Sequence, residues 1–416
     1  MRLRGSTGQA GKQRWRAAAA AMVAATVLLS AGCSGGGDDS SATPQWQGGS
    51  QGSGEPGAES PSPQPTLSTV AVTAPAADAT GVKAITEIKY TSEDPSNTTV
   101  EVKDADGAEV QGTLDKDDKV FKPAKALAWG KTYTVTVNGT PSGDKGGSTT
   151  STFTVMKKPS QLVRVSSFLG DSQKVGVGMP VIIKFSRSVP KSNRAEVERR
   201  MVVTAKPAQE GSWYWISGTE MHYRPKVFWK ANSKVSYKIS LGGVEMDKGW
   251  YGRSDLTVDF NVGRSFIMVA DSKKKQMTVT QDGEVIKKLP ISLGKASTPS
   301  SSGTAVIIEK KEHTVFDTMD ELPEGEGYRT KIDYAQRYTW GGEFVHAASW
   351  SEGVQGKQNV SHGCVNVSEA MGKWLFDRTL MGDVVQVKGT GRQLQWQNGW
   401  TDWSMSWDEY KKGSAL

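Results

Sequence analysis

Between residues 67 and 263 the chain is written as short runs of alternating apolar and polar residues, each closed by Gly, Asp or Asn, and these runs occur as two diverged copies. Phe121-Lys122-Pro123, Trp129, Tyr133-Thr134-Val135-Thr136-Val137 and Phe153-Thr154-Val155 find counterparts in Tyr223-Arg224-Pro225, Trp229, Tyr237-Lys238-Ile239-Ser240-Leu241 and Val258-Asp259-Phe260. Side chains of an extended strand alternate between two faces, so each run has one apolar face that a second sheet must cover. The pattern therefore predicts two tandem β-sandwiches rather than helices or a membrane bundle.

Strands are expected over 85–90, 99–102, 133–137 and 152–155 in the first copy, and over 181–185, 201–204, 213–216, 235–241 and 256–262 in the second. Immunoglobulin-like domains at 67–157 and 158–263 are the economical reading. A third β-rich block, 264–388, opens with strands at 266–269 and 277–280. A hairpin through Gln281-Asp282-Gly283 leads into 284–289, and a last strand lies at 384–387. Ser368 to Leu380 reads as a short amphipathic helix. The fold class is mainly β, ending in a Trp-rich tail, 389–416. Trp396, Trp400, Trp403 and Trp407 fall at helical spacing but are interrupted by Gly399, and packing on an adjacent domain is the preferred role. Trp213 and Trp215 read as core rather than a sugar platform. Lys273-Lys274-Lys275 reads as a solvated turn, and His222 and His313 as structural or surface residues.

The charge of +7 suggests an anionic partner until it is located. Arg2, Arg4, Lys12, Arg14 and Arg16 precede the first acidic residue, Asp38, and subtracting those five charges leaves +2. That is too little for a nucleic-acid face. The five charges precede an apolar run from Ala17 to Leu29 that is shorter than the roughly 20 residues needed to cross a bilayer, the layout of a signal peptide at 1–32. Leu29-Ser30-Ala31-Gly32-Cys33 resembles a lipoprotein processing box, although Ser30 stands where a branched aliphatic is usual. The resemblance implies lipidation at Cys33 and anchoring on the outer face of the cytoplasmic membrane. The Gly, Ser and Pro-rich segment at 33–66 cannot offset its chain entropy by burial and reads as a tether.

With Cys33 acylated, Cys364 is the remaining thiol of an exported chain. Around it stand Phe344-Val345-His346 and Ser361-His362-Gly363-Cys364-Val365-Asn366-Val367. A thiol of ordinary pKa near 8.5 needs a base to become nucleophilic. His346 or His362 can serve. His362, two residues from Cys364 in an extended run, would face the same way yet rarely achieves relay geometry, whereas His346 can approach across a sheet. The N–H groups of Gly363 and Cys364 can hold an oxyanion. A buried inert thiol and a zinc site built from His346, His362 and Cys364 are the rival readings. The second lacks HExxH or paired-cysteine spacing.

His346, the spacer 347–360, Ser361-His362-Gly363-Cys364 and Asn366 together resemble the signature of the YkuD-type L,D-transpeptidases. Gly294, Thr298-Pro299 and Gly303 resemble the family's substrate-proximal turn, and Gly327-Tyr328-Arg329-Thr330 its lid. Asp402-Trp403 and Trp407 resemble the tail of the actinobacterial lipoprotein members with two immunoglobulin-like domains. The resemblance implies that Cys364 is the acylated nucleophile, His346 its base, and the Ala347 carbonyl the group that orients His346. Ala347 stands where relatives often have serine, which a backbone role tolerates. Ser361, His362, Gly363 and Asn366 would shape the pocket, with Tyr328 at the lid assisting the oxyanion. It further implies 3→3 cross-linking of peptidoglycan stem peptides, a diaminopimelate amine accepting the acyl group of a tetrapeptide donor with release of D-Ala. No cofactor or metal is implied, and carbapenems are the expected inhibitors. L,D-carboxypeptidase activity, attachment of a protein to the wall, or a degenerate wall-binding scaffold are the alternatives. The immunoglobulin-like pair is expected to act as a stalk, so that deleting 67–263 spares thioester formation in vitro.

Overall fold

The computed structural model describes residues 70–139, 147–317 and 329–416. The signal peptide, Cys33, the tether and Tyr328 lie outside the described residues. Among the described residues no helix is long and apolar enough to cross a membrane.

Each sequence copy folds into two facing four-stranded sheets. In the first, Ala71–Ala74, Ile88–Thr91, Val120–Pro123 and Gly112–Asp115 form one sheet, and Ala79–Val82, Ser148–Val155, Thr132–Gly139 and Thr98–Asp104 the other, in those orders. In the second, the orders are Val165–Ser167, Val181–Phe185, Glu220–Pro225, Gly211–Trp215 and Lys174–Val175, Leu256–Val262, Lys234–Ile239, Met201–Lys206. Sequence counterparts occupy equivalent places: the strands carrying Phe121 and Tyr223 are third in their sheets, as are those carrying Tyr133 and Tyr237. The sheet edge is also repeated, because Ala79–Val82 and Lys174–Val175 each pair in parallel with their neighbour. Alternate residues Tyr133, Val135 and Val137 are buried, as are Val235, Tyr237 and Ile239. Trp213 and Trp215 are buried, and their indole N–H groups donate to the Met201 carbonyl at 3.0 Å and to Glu198 at 3.0 Å.

The third block has a six-stranded sheet ordered Glu284–Pro290, Gln276–Gln281, Phe266–Asp271, Val384–Lys388, Ser301–Val306, Arg392–Gln393. A four-stranded sheet, Glu309–Asp317, Arg329–Arg337, Phe344–Ala347, Val365–Val367, packs against it around Phe266, Met268, Leu293, Val345 and Val365. Asp282 and Gly283 both have positive φ, the geometry a two-residue hairpin requires. The helix runs Glu369–Arg378, capped by Ser368, whose hydroxyl accepts from Met371 N–H.

The second sandwich and the catalytic block meet through apolar packing: Val306, Ile308, Val384 and the tail's Trp400 lie in the same cluster as Val175 and Met179, beside the block's separate core around Phe266 and Val365. Glycine permits this contact, since a Cβ on Gly176 would stand 2.2 Å from Asp383 N and one on Gly178 2.6 Å from Val306 Cγ1. Gly176 and Gly178 N–H donate to the Met381 and Gly382 carbonyls at 2.8 and 2.9 Å. At the start of the block Arg264 pairs with the fully buried Asp383 of the same block at 2.7 Å, bracing the border from its catalytic side. The stalk reading, in which deleting 67–263 spares thioester formation in vitro, meets a cost at residues 158–263, because removing them would strip apolar surface from the block that follows.

The tail is not one helix. Its segment Arg392–Gln393 joins the six-stranded sheet, and short helices occupy Asp402–Ser404 and Trp407–Lys411. It packs back on the second sandwich as expected: Trp400 meets Phe168 at 4.7 Å, Trp396 meets Tyr214 at 5.4 Å, and Trp403 Nε1 donates to the Gly178 carbonyl at 2.7 Å.

Candidate active site

The strands Phe344–Ala347 and Val365–Val367 run parallel, with Val345 opposite Val365 and His346 opposite Asn366. Both are buried along their whole length, which fits their near-continuous apolar sequence. The register brings the imidazole of one strand beside the loop that delivers Cys364 to the next. His346 and Cys364 line one cavity of about 400 Å³ together with Phe316, Trp350, Ser361, His362 and Asn366.

His346 is 3% exposed, and its Nδ1 lies 2.6 Å from the Ala347 carbonyl oxygen. A carbonyl only accepts, so Nδ1 carries the proton and Nε2 is left as the acceptor. Phe316 meets the ring edge-on at 5.4 Å and Trp350 lies at 5.9 Å on a tilted plane. Burial in this setting lowers the imidazole to about 4, against the opposing pull of the Ala347 carbonyl and Asn366. Asn366 is held by reciprocal backbone bonds with Ser292 at 2.9 and 3.0 Å, and its Nδ2 donates to Ser351 Oγ at 3.3 Å.

Cys364 is partly buried, packed against Phe316, Ile332, Ala335 and Phe344, with Sγ 3.7 Å from the Gly342 carbonyl. Burial pushes the thiol up to about 12; the Phe344 N–H works against this, and the charge of Glu343 reinforces it. The resting site is thus a neutral thiol beside a neutral imidazole.

The turn before Cys364 is braced by Ser361. Its hydroxyl donates to the Cys364 carbonyl at 2.7 Å and accepts from Gly363 N–H at 3.1 Å, while its carbonyl accepts from Lys295 N–H and Thr298 Oγ1. Gly363 has φ +128°, so the run is bent rather than extended. His362 consequently turns toward Lys295, with Nε2 3.3 Å from Nζ, and burial and that ammonium lower its pKa. Gly294 and Thr298, noted from sequence, form the shelf beneath this turn: Gly294 bridges to Ser361, and its N–H donates to Ser300 Oγ at 2.9 Å. Among the described residues no group of three His, Cys, Asp or Glu is arranged to hold a metal ion.

The structure thus gathers Cys364, His346, Ser361, His362 and Asn366 round one cavity, with Gly363 in the turn. Sequence reasoning passed over Trp350, Ser351 and Glu343. Only Glu343 left a signal, an acid set in the otherwise apolar run from Gly341 to Val345.

His222 and His313 lie elsewhere. His222 is buried between Asp402 at 2.9 Å and Glu220 at 2.9 Å, and His313 pairs with Asp333 at 2.6 Å on the surface.

A mainly β chain in which immunoglobulin-like sandwiches precede a domain whose parallel strands carry an imidazole beside the turn of a lone thiol defines a class, the sandwich-bearing proteins of the YkuD type. Residues 79–245 match the bacterial Ig domain family, and residues 264–387 match the L,D-transpeptidase catalytic domain. L,D-transpeptidase 2 of Mycobacterium tuberculosis (strain CDC 1551 / Oshkosh) is 33% identical over 341 residues, covering 81% of this chain and 83% of that protein. L,D-transpeptidase 5 of Mycobacterium tuberculosis (strain ATCC 25618 / H37Rv) is 31% identical over 319 residues, covering 74% and 69%. The solved L,D-transpeptidase from Mycobacterium smegmatis is 33% identical, with a TM-score of 0.46 over 55% of this chain and 99% of that one. The chain belongs to the L,D-transpeptidase family, whose members are cysteine-dependent acyltransferases of peptidoglycan.

Proposed function

We propose that this protein forms 3→3 peptidoglycan cross-links through a thioester on Cys364. The observation that carries the proposal is the tautomer of His346, whose Nδ1 is tied to the Ala347 carbonyl so that Nε2 is the free acceptor in the cavity shared with Cys364. In the forward step the Sγ proton passes to Nε2 as Sγ attacks the carbonyl of the third residue of a donor tetrapeptide. The Cys364 N–H would hold the oxyanion that forms, with Tyr328 assisting as the resemblance implies, while the Gly363 N–H braces the turn through Ser361. Collapse breaks the amide to D-Ala, whose nitrogen takes the proton from His346. A diaminopimelate amine then attacks the thioester and gives its proton to Nε2, and Sγ leaves and takes that proton from Nε2, restoring the neutral thiol. One amide is broken and one made.

Ser361, His362 and Asn366 shape the donor pocket. Lipidation at Cys33 would place the enzyme on the outer face of the membrane with the tether reaching into the wall. Carbapenems would acylate Cys364 by the same first step. Intact-protein mass spectrometry of the soluble protein, wild type and Cys364→Ala, tests the reading with a carbapenem and with a tetrapeptide donor. Adducts in the wild type alone are expected. A folded wild type that takes neither would sink it in favour of a wall-binding scaffold. Adding an amine acceptor then separates cross-linking, which yields a new amide, from carboxypeptidase activity, which yields free tripeptide.

A further inference from the structure

Behind the nucleophile lies a carboxyl group that the reaction above does not use. Glu343 is 6% exposed and fixed at both backbone ends, its N–H donating to Thr339 Oγ1 at 2.9 Å and its carbonyl accepting from Tyr338 N–H at 3.1 Å. Oε1 accepts the Ser301 N–H at 2.7 Å, while Oε2 is buried with no hydrogen-bond partner among the described residues. The side chain runs beneath Gly363: a Cβ there would stand 3.6 Å from Glu343 Cγ and 3.7 Å from Oε1. The carboxyl therefore faces the turn that presents Cys364 across a gap that a single methyl group on Gly363 would fill.

An ionised carboxylate in this position leaves one oxygen bare in an unsolvated interior, which is costly. A thiolate beside it adds like-charge repulsion, which disfavours ionisation of both. The other ionisable groups facing Glu343 are Tyr338, at the end of the strand 329–337, Cys364 from the turn, and Arg392 from the last strand of the six-stranded sheet. The Tyr338 hydroxyl is likewise buried and unpartnered among the described residues, so it offers no charge. Arg392 favours the carboxylate, but burial outweighs it and raises the Glu343 pKa.

We propose that Glu343 is a positioning residue for the nucleophile, a carboxyl group that must hold its proton for Cys364 to carry the negative charge of the activated state. It supports Gly363 from behind when neutral and suppresses the thiolate when ionised. The proposal rests on Cys364 being the nucleophile and adds to that reading a residue that sets when the thiol is competent.

The test is the pH dependence of Cys364 alkylation by iodoacetamide in the soluble protein, comparing wild type with Glu343→Gln and Glu343→Met. Gln keeps the acceptor for Ser301, Met keeps the shape, and neither ionises. Both variants are expected to match wild type at pH values where Glu343 is protonated and to be alkylated roughly ten times faster than wild type once Glu343 ionises, so that their profiles lie about one pH unit lower on that limb. A purely structural role for Glu343 would alter melting temperature without moving the profile. Superimposed profiles in folded variants, or a shift toward higher pH, overturn the proposal. A wild type that is alkylated at Cys364 yet takes no adduct from carbapenem or donor peptide would instead overturn the nucleophile reading, and the Glu343 shift would stand apart from it.

Discussion

Spacing to Cys364 picks out His346 in the sequence, but its surroundings decide its protonation. Burial holds it at about 4 and holds Cys364 at about 12, so at neutral pH the free enzyme keeps a proton on sulfur and none on Nε2. In the proposed reaction, acylation would have to move that proton as the carbon–sulfur bond forms, which would make the base indispensable rather than helpful. Replacing His346 with Gln is expected to slow carbapenem acylation by a factor of about 10² to 10⁴. Stopped-flow or mass-spectrometric rates check this, and a variant within about threefold of wild type would remove His346 from the mechanism. The pair was legible because its chemistry needs a thiol and an imidazole, both rare in this chain. Ser351, which supports Asn366, was not legible, since a lone serine in a 3₁₀ turn has no pattern to set it apart.

At the scale of elements, alternation was a good guide where one face is core. Val181–Phe185 and Leu256–Val262 form over the residues expected of them. The helix Glu369–Arg378 was legible from its serine cap and apolar spacing. The helix Lys191–Glu198 was missed because its sequence, KSNRAEVE, offers one large apolar residue and begins after a proline with no side-chain cap. The strands Glu309–Asp317 and Arg329–Arg337 were missed because charge on their outer face hides the alternation. Local pairing was legible in the hairpin through Asp282-Gly283, but distant pairing was not, and the clamp around His222 shows why: it joins the strand Glu220–Pro225 to Asp402, 180 residues away. Burial lowers this imidazole, but Asp402 and Glu220 more than reverse that and hold it up at about 9. A raised pKa contributes stability that is whole below about pH 6.5 and lost as pH climbs through about 9, on the order of 3 kcal/mol. Urea titrations of wild type and His222→Gln at pH 7 and pH 10 should therefore differ by about that much at the lower pH and converge at the higher. A constant gap would mean the ring is neutral in the fold.

For the whole molecule, the informative boundary is the one the structure does not respect. The first sandwich has an apolar core of its own, built on Ile88, Val102, Tyr133 and Phe153. It meets the second through smaller contacts such as Lys83 with Glu245 at 2.8 Å and Trp129 against Tyr251 at 6.0 Å. The catalytic block also has a core of its own around Phe266, Met268, Leu293 and Val365, but its border with the second sandwich is apolar, because Val306, Ile308, Val384 and the tail's Trp400 belong to the sandwich's core. A chain of residues 158–416 is expected to fold and to take a carbapenem adduct at a rate within about twofold of the longer protein. A chain of residues 264–416 is expected to be insoluble or to lack sharp near-ultraviolet dichroism. Recovery of a folded, acylating 264–416 fragment would contradict the need for that apolar border. Cooperativity follows the core rather than the repeat, so a calorimetric trace of residues 70–416 should contain two endotherms, not three, and the larger should pass undivided through the covalent border at Gly263.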